Sequence, residues 1–135
     1  MLRINKVSEY GILALGFIGR QPKAVSARQI SEGLHLPYEI TAKTLQRLKE
    51  AGFVSSTKGA HGGYKLAQTL SEISFAQVVG AIEGTVALMD CARDSQDDQC
   101  KRMGICEIQS GMQTLNLRIR SLLEETKLDT LMRPQ

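Results

Sequence analysis

A run of helix-start and helix-stop signals in the first half of the chain restricts the fold most strongly. Ser26-Ala-Arg-Gln29 matches a capping box, with Ser26 as the N-cap and Gln29 binding back to it. Gly33 can end a short helix in the left-handed conformation, and Pro37 suits the first position of a second helix that ends at Gly52. Two short helices joined by a tight turn predict a helix-turn-helix.

A β-hairpin is expected directly after these two helices. Residues 53–58 alternate between apolar and polar side chains like a strand, residues 59–63 form a glycine-rich turn, and residues 64–67 give a second strand. A hairpin in this place is a wing. The predicted fold is therefore mainly α: a winged helix-turn-helix with a two-stranded β wing and a long C-terminal helix.

Three further helices are predicted. Residues 4–19 are apolar around so much of the helix that it should be buried on more than one side, and residues 74–83 form a short helix that stops at Gly84. In the last helix, residues 107–126, apolar residues recur at alternating steps of four and three, as in a coiled coil. This heptad stripe consists of Ile108, Met112, Leu115, Ile119 and Leu122.

The heptad stripe favours a homodimer interface over packing inside the protomer, because the preceding residues supply only a small core. Leu117 and Leu123 lie off the stripe and are expected to contact the rest of the protomer. We therefore divide the chain into a winged helix-turn-helix domain (1–84), a cysteine-containing loop (85–106) and a dimerisation helix with a tail (107–135).

Composition excludes several classes of protein. The 135 residues include no apolar run of membrane-spanning length, and the N-terminus does not resemble a signal peptide, so a cytoplasmic protein is expected. A net charge of +3 permits nucleic-acid binding without requiring it. Because the sequence shows neither a nucleophile–base arrangement nor a phosphate-binding glycine loop, we expect neither an enzyme nor a small-molecule substrate.

The second helix of the pair is the candidate recognition helix for double-stranded DNA. Ile40, Thr44, Leu48 and Ala51 are predicted to face inward, which leaves a polar face for base edges in the major groove. An ordinary amphipathic helix with a solvated face is the alternative. With the capping segment and the wing tip included, the candidate DNA contacts are Ser26, Arg28, Tyr38, Glu39, Thr41, Ala42, Lys43, Gln46, Arg47, Lys58 and His61.

All three cysteines, Cys91, Cys100 and Cys106, lie in one polar stretch that would make a poor core. Thiolates are soft ligands that suit iron–sulfur clusters, zinc and copper(I), so this stretch is a candidate metal or redox site. A disulfide, unrelated free thiols and a zinc site remain alternatives. The two histidines, His35 and His61, lie far away in the sequence.

Several segments together resemble the winged-helix regulators of the IscR/NsrR/SufR type. They are the N-terminal Met-Leu-Arg-Ile-Asn-Lys, the run from Leu36 to Val54, the wing from Lys58 to Ala67, and the three-cysteine loop before a long helix. The resemblance covers nearly the whole chain and is closest to the regulators of the SUF cluster-assembly system. It implies a homodimer that binds a palindromic operator and holds an iron–sulfur cluster, with a 2Fe–2S cluster favoured over 4Fe–4S.

The resemblance also assigns metal ligands. Cys91, Cys100 and Cys106 match the cluster thiolates, although the eight residues between the first two exceed the gap in that family. Gln109 stands where IscR-like members have a histidine ligand. In NsrR-like members the ligand is a carboxylate of the partner's first helix, which matches Glu9 here. The alternative is that Glu9 points to solvent.

These expectations define a transcriptional regulator, with repression favoured, whose operator binding depends on the cluster. Its targets would be genes for cluster assembly or for iron and redox stress. The alternatives are a nitric oxide- or thiol-redox-sensing repressor of the same fold, and a metal-binding winged-helix protein that binds a protein partner.

Overall fold

The computed structural model describes residues 3–89, 92 and 100–134. These residues form mainly helices with one two-stranded antiparallel sheet, so the predicted fold class is confirmed. The elements in chain order are α1 (Lys6–Gly19), α2 (Ala27–Leu34), α3 (Tyr38–Glu50), β1 (Val54–Thr57), β2 (Gly63–Leu66), α4 (Phe75–Glu83), α5 (Gln109–Glu125) and α6 (Leu128–Leu131). Among the described residues, none of these helices combines the length and apolar character of a membrane span.

The helix-turn-helix consists of α2 and α3. Both halves of the capping box are present: Ser26 Oγ accepts from Gln29 N–H at 3.1 Å, and Gln29 Oε1 accepts from Ser26 N–H at 2.8 Å. The predicted stop at Gly33 is wrong, because His35 adopts the left-handed conformation with φ 55°. Gly33 has a packing role instead, since a Cβ there would lie 2.5 Å from the Phe17 ring of α1.

The inward face of α3 is rotated from the prediction. Thr41, Thr44, Leu45 and Leu48 are buried, whereas Ile40 is 40% exposed and Ala51 is exposed, so the inward placement of those two residues is wrong. The threonines can be buried because their hydroxyls donate to carbonyls one turn earlier, Thr41 to Pro37 at 2.8 Å and Thr44 to Ile40 at 2.7 Å. Pro37 itself is the N-cap of α3 rather than its first residue.

The core forms where α1 meets the helix-turn-helix. Leu15 and Ile18 of α1 are buried together with Ile30 of α2 and with Leu45 and Leu48 of α3. Because α1 also contacts α4, β2 and α6, its predicted burial on more than one side is confirmed. The apolar sequence of α1 thus produces the central helix of the DNA-binding domain.

The wing is anchored at its base by a backbone pair that the sequence did not predict. Strands β1 and β2 pair from Val54 opposite Leu66 to Thr57 opposite Gly63. In addition, Val25 and Tyr64 exchange two backbone hydrogen bonds of 3.1 and 2.7 Å. Since Val25 lies immediately before the Ser26 cap, this pair fixes the wing to the start of α2.

The chain after α5 returns to the winged-helix domain. Phe75 N–H donates to Thr126 O at 2.8 Å, and Leu128 N–H donates to Ile73 O at 2.9 Å. Leu128 is fully buried in the core, and α6, which was not predicted, begins with it. Part of the predicted tail therefore belongs structurally to the DNA-binding domain.

We predict that Gly63→Ala destabilises the fold more than Gly59→Ala. Both glycines have positive φ, 142° and 107°, so each substitution costs backbone strain of about 1–3 kcal/mol. A Cβ at residue 63 would also lie 2.4 Å from the Val25 carbonyl oxygen, whereas one at residue 59 meets nothing within 4 Å. Urea unfolding measures the difference, and equal losses of unfolding free energy would contradict the role of the Val25–Tyr64 pair.

Candidate nucleic-acid interface and cysteine site

The face of α3 opposite the core presents polar side chains to solvent. Glu39, Lys43 and Gln46 are exposed at steps of four and three residues, so they lie on one side of the helix, with Ala42 half-buried beside them. Thr41 does not belong to this face, because it is 1% exposed and its hydroxyl is bonded within α3. Its inclusion among the DNA contacts was therefore wrong.

The N-termini of α2 and α3 are joined through two of the candidate residues. The Arg28 guanidinium lies 4.9 Å from the centroid of the Tyr38 ring, within the range of a cation–π contact. Ser26 is half-buried and its oxygen is engaged as the N-cap of α2. The structure thus brings Arg28 and Tyr38 together at one end of the helix-turn-helix.

The remaining candidates differ in their surroundings. Arg47 Nη1 donates to Ile82 O at 3.5 Å, which directs this side chain towards α4. Gln46 Nε2 contacts Glu50 Oε1 at 3.4 Å. Lys58 and His61 are exposed in the turn between β1 and β2. The exposed wing tip and the polar face of α3 give the domain two separate exposed elements, each with a lysine, that can reach a nucleic acid.

Two of the three cysteines line one small cavity. Cys100 and Cys106 are half-buried free thiols at a cavity of about 70 Å³. The remaining lining is mostly apolar or sulfur-containing: Met89, Arg102, Met103, Ile108, Gln109 and Met112. Cys91 lies outside the described residues, so its predicted role as a ligand has no structural account. Within the described ranges, no group of three His, Cys, Asp or Glu residues is arranged to hold a metal.

Gln109 holds the turn that connects Cys100 to Cys106. Its Oε1 accepts from Gly104 N–H at 2.9 Å, and its Nε2 lies 3.7 Å from Met103 Sδ. Cys106 N–H donates to Arg102 O at 3.1 Å within the same turn. The family resemblance identified position 109 only as the place of an absent histidine ligand, whereas in the structure its side-chain amide bonds within the cysteine turn.

Glu9 is half-exposed on α1. Its Oε2 lies 3.0 Å from Lys6 Nζ, an exposed ion pair of small energetic value. Glu9 also lines a surface cavity with Glu83, which accepts from Asn5 N–H at 3.1 Å and from Ser8 Oγ at 2.5 Å. In the described part of the protomer, this cavity shares no lining residue with the cysteine cavity.

The heptad stripe of α5 is largely uncovered. Ile108, Leu115 and Leu122 are exposed, Leu122 by 62%, while Met112 and Ile119 are half-buried. Leu123 lines a cavity with Phe75 and Val79 of α4, as expected for a residue that contacts the protomer. Leu117 is 61% exposed, so its predicted contact with the protomer is wrong.

Asn116, next to Leu117, occupies the inward position instead. It is 2% exposed, accepts from Leu88 N–H at 2.9 Å and contacts Val86 O at 3.5 Å. Arg120, one turn later, donates to Val86 O at 2.8 Å and to Ala92 O at 3.1 Å. Sequence analysis missed both residues, because a polar pair at a step of four on a helix usually indicates a solvated face.

Comparison with known proteins agrees with this architecture. A family model described as "Rrf2: Iron-dependent Transcriptional regulator" matches residues 4–134. Protein rrf2 of Nitratidesulfovibrio vulgaris is 32% identical over 108 residues, which cover 78% of this chain and 70% of that protein.

Two solved structures have the same fold. CymR (YrzC), the global cysteine regulator of B. subtilis, superposes with a TM-score of 0.75 at 22% identity, covering 97% of this chain and 96% of its own. IscR of T. potens superposes with a TM-score of 0.71 at 20% identity, covering 99% and 94%. Together with the family match over residues 4–134, the winged helix places this chain in the Rrf2 family of DNA-binding transcriptional regulators, which are not enzymes.

Proposed function

We propose that this protein is a cytoplasmic, homodimeric regulator whose affinity for a palindromic operator depends on an iron–sulfur cluster held by Cys91, Cys100 and Cys106. The observation that carries the proposal is the shared cavity of Cys100 and Cys106 at the N-terminal end of α5. Methionine and isoleucine side chains make this cavity apolar and sulfur-rich, which suits thiolate ligation of a soft metal centre. The likeness to IscR and the match to an iron-dependent regulator family support it.

The chain offers donor groups of the type that such a centre requires. Two thiols already share a cavity, and Gln109 keeps the turn between them in shape. We propose Glu9 of the partner subunit as the fourth ligand, since its carboxylate is half-exposed and bound by a surface ion pair that is easily exchanged. When bound, a cluster of the favoured 2Fe–2S type supplies a centre that responds to iron supply or to oxidants.

The exposed heptad stripe of α5 supports the homodimer. Apolar side chains at alternating steps of four and three residues pack favourably against the same stripe of a second copy. A dimer also supplies the two recognition helices that a palindromic operator requires. Because the cysteine turn ends where α5 begins, loss of the cluster would alter the start of the dimer helix and hence the relative orientation of the two winged domains. Repression of cluster-assembly genes is the favoured outcome.

A metal-free thiol switch is the second candidate. It is favoured by the common cavity of Cys100 and Cys106, which would allow a peroxide to oxidise both thiols to one disulfide, with release of water. In this case the same turn would change shape without a metal.

Anaerobic purification with iron and sulfide counts and a visible spectrum separates the two candidates. We expect a brown wild-type protein and a colourless Cys106→Ser variant. Glu9→Ala should shift the spectrum, whereas Glu39→Ala, which removes an exposed carboxylate of α3, should not. A protein that stays colourless and iron-free after reconstitution would overturn the cluster proposal, and reversible oxidation would then favour the thiol switch.

DNA binding should depend on Lys43 more than on Lys49. Both lysines are exposed on α3, but Lys43 lies on the polar face with Glu39 and Gln46, whereas Lys49 lies in its last turn. With a DNA fragment selected by the wild-type protein, we expect Lys43→Ala to cost about 1–3 kcal/mol of binding free energy. Fluorescence anisotropy measures the loss, and an equal effect of Lys49→Ala would contradict the proposed orientation of α3.

The dimer interface should depend on Leu122 and not on Leu117. The two side chains are almost equally exposed on the same helix, but Leu122 alone belongs to the heptad stripe. We expect Leu122→Glu to shift the protein to monomers in analytical ultracentrifugation, because the dimer would bury a carboxylate. Leu117→Glu should remain dimeric. If both variants stay dimeric, α5 does not form the interface.

A further inference from the structure

Two polar residues of α5 form hydrogen bonds with backbone groups that precede and follow Cys91 in the sequence. Asn116 and Arg120 lie one helical turn apart and both bind Val86 O, at 3.5 and 2.8 Å. Asn116 also accepts from Leu88 N–H, and Arg120 reaches across to Ala92 O, the residue directly after Cys91 in the sequence. The pair therefore joins α5 to backbone that precedes and follows this cysteine.

These contacts are energetically significant because of where they lie. Asn116 is 2% exposed, so the loss of its partners would leave an amide unsatisfied away from water. Arg120 is half-buried, and hydrogen bonds from a guanidinium are stronger than those between neutral groups. The segment containing Val86 and Leu88 thus has a preferred position against α5 that the Asn116–Arg120 pair enforces.

The two ends of the cysteine loop are connected to α5 in different ways. Cys106 lies three residues before Gln109, where α5 begins, so the chain itself transmits its position. Cys91 lies eighteen residues before Gln109 in the sequence, and a connection of that length by itself sets only a wide limit on its distance from α5. Contacts through space are needed to hold its neighbours near the helix, and Asn116 and Arg120 provide them.

We propose that Asn116 and Arg120 are positioning residues that couple the Cys91 segment to α5. The inference rests on the proposed function only in assigning Cys91 to the metal site. Linkage is reciprocal, so a ligand that fixes Cys91 would favour the α5 arrangement that the pair requires, and a shift of α5 would weaken that ligand's binding. Through this pair, a change in the position of Cys91 would act on the second half of α5. A change in the position of Cys106 would act on the N-terminal end of the helix.

The test compares Asn116→Leu and Arg120→Gln with Arg118→Gln, which removes the same charge from an exposed position of the same helix. In metal-free, reduced protein, mass spectrometry follows alkylation of each cysteine, and hydrogen exchange follows the Leu88 amide. We expect Cys91 alkylation and Leu88 exchange to accelerate about tenfold in the first two variants, the change predicted for one lost hydrogen bond in this setting. Alkylation of Cys106 and exchange in α3 should not change.

A second arm uses the reconstituted protein, in which the visible absorbance of Arg120→Gln should decay several-fold faster in air than that of Arg118→Gln. Arg120→Lys, which keeps the charge but not the forked geometry, should fall between them. Unchanged Cys91 alkylation and Leu88 exchange would overturn the coupling, as would equal acceleration at all three cysteines, which indicates general loosening. A wild-type protein that binds no cluster would contradict the proposed function. The alkylation and hydrogen-exchange measurements on metal-free protein would still test the coupling.

Discussion

Burial of α1 between the helix-turn-helix and the C-terminal residues is the interaction on which the rest of the structure depends. Leu15 and Ile18 are buried in one core with residues of α2 and α3, and Gly33 lets the Phe17 ring approach α2 closely. Leu128 enters the same core from the far end of the chain. The core thus holds the recognition helix together with α6, the helix that follows directly after α5.

Polar contacts then connect this core to the cysteine region. Glu83, the last residue of α4, accepts from Ser8 and Asn5 at the start of α1, and Arg47 of the recognition helix contacts Ile82 in the same turn. The backbone that leads to Cys91 begins directly after α4, and its residues Val86 and Leu88 form hydrogen bonds with Arg120 and Asn116. The end of α4 therefore contacts the recognition helix and is also where the backbone that leads towards Cys91 begins.

The sequence predicted most helices and the wing because their signals are local. The capping box at Ser26 and Gln29, the glycine stop at Gly84 and the alternation of the wing each depend on neighbours within a few residues. The errors occurred where distant contacts decide the outcome. Thr41 was included among the DNA contacts, but its hydroxyl bonds to its own helix and the side chain is buried. Leu117 was assigned to the protomer, although Asn116 occupies that position.

The cysteine site shows the same division. Three thiols in one stretch were evident from the sequence, as was the exposed stripe of α5. The methionines that share the cavity of Cys100 and Cys106 and the bonds of Gln109 depend on how the turn folds back on α5, which no local pattern encodes. Glu9 was assigned as a ligand through the family resemblance alone, and its side chain is half-exposed on α1 beside Lys6.

The backbone pair between Val25 and Tyr64 has a consequence for how such a protein can respond to a signal. It ties the wing to the start of α2, and the shared core ties α2 to α3, so the wing and the recognition helix belong to one packed unit. A unit that is packed in this way has little freedom to change its own fit to a half-site. In a dimer, what remains adjustable is the distance and angle between two such bodies, so a signal would be expressed as a preference for operator spacing rather than for base sequence.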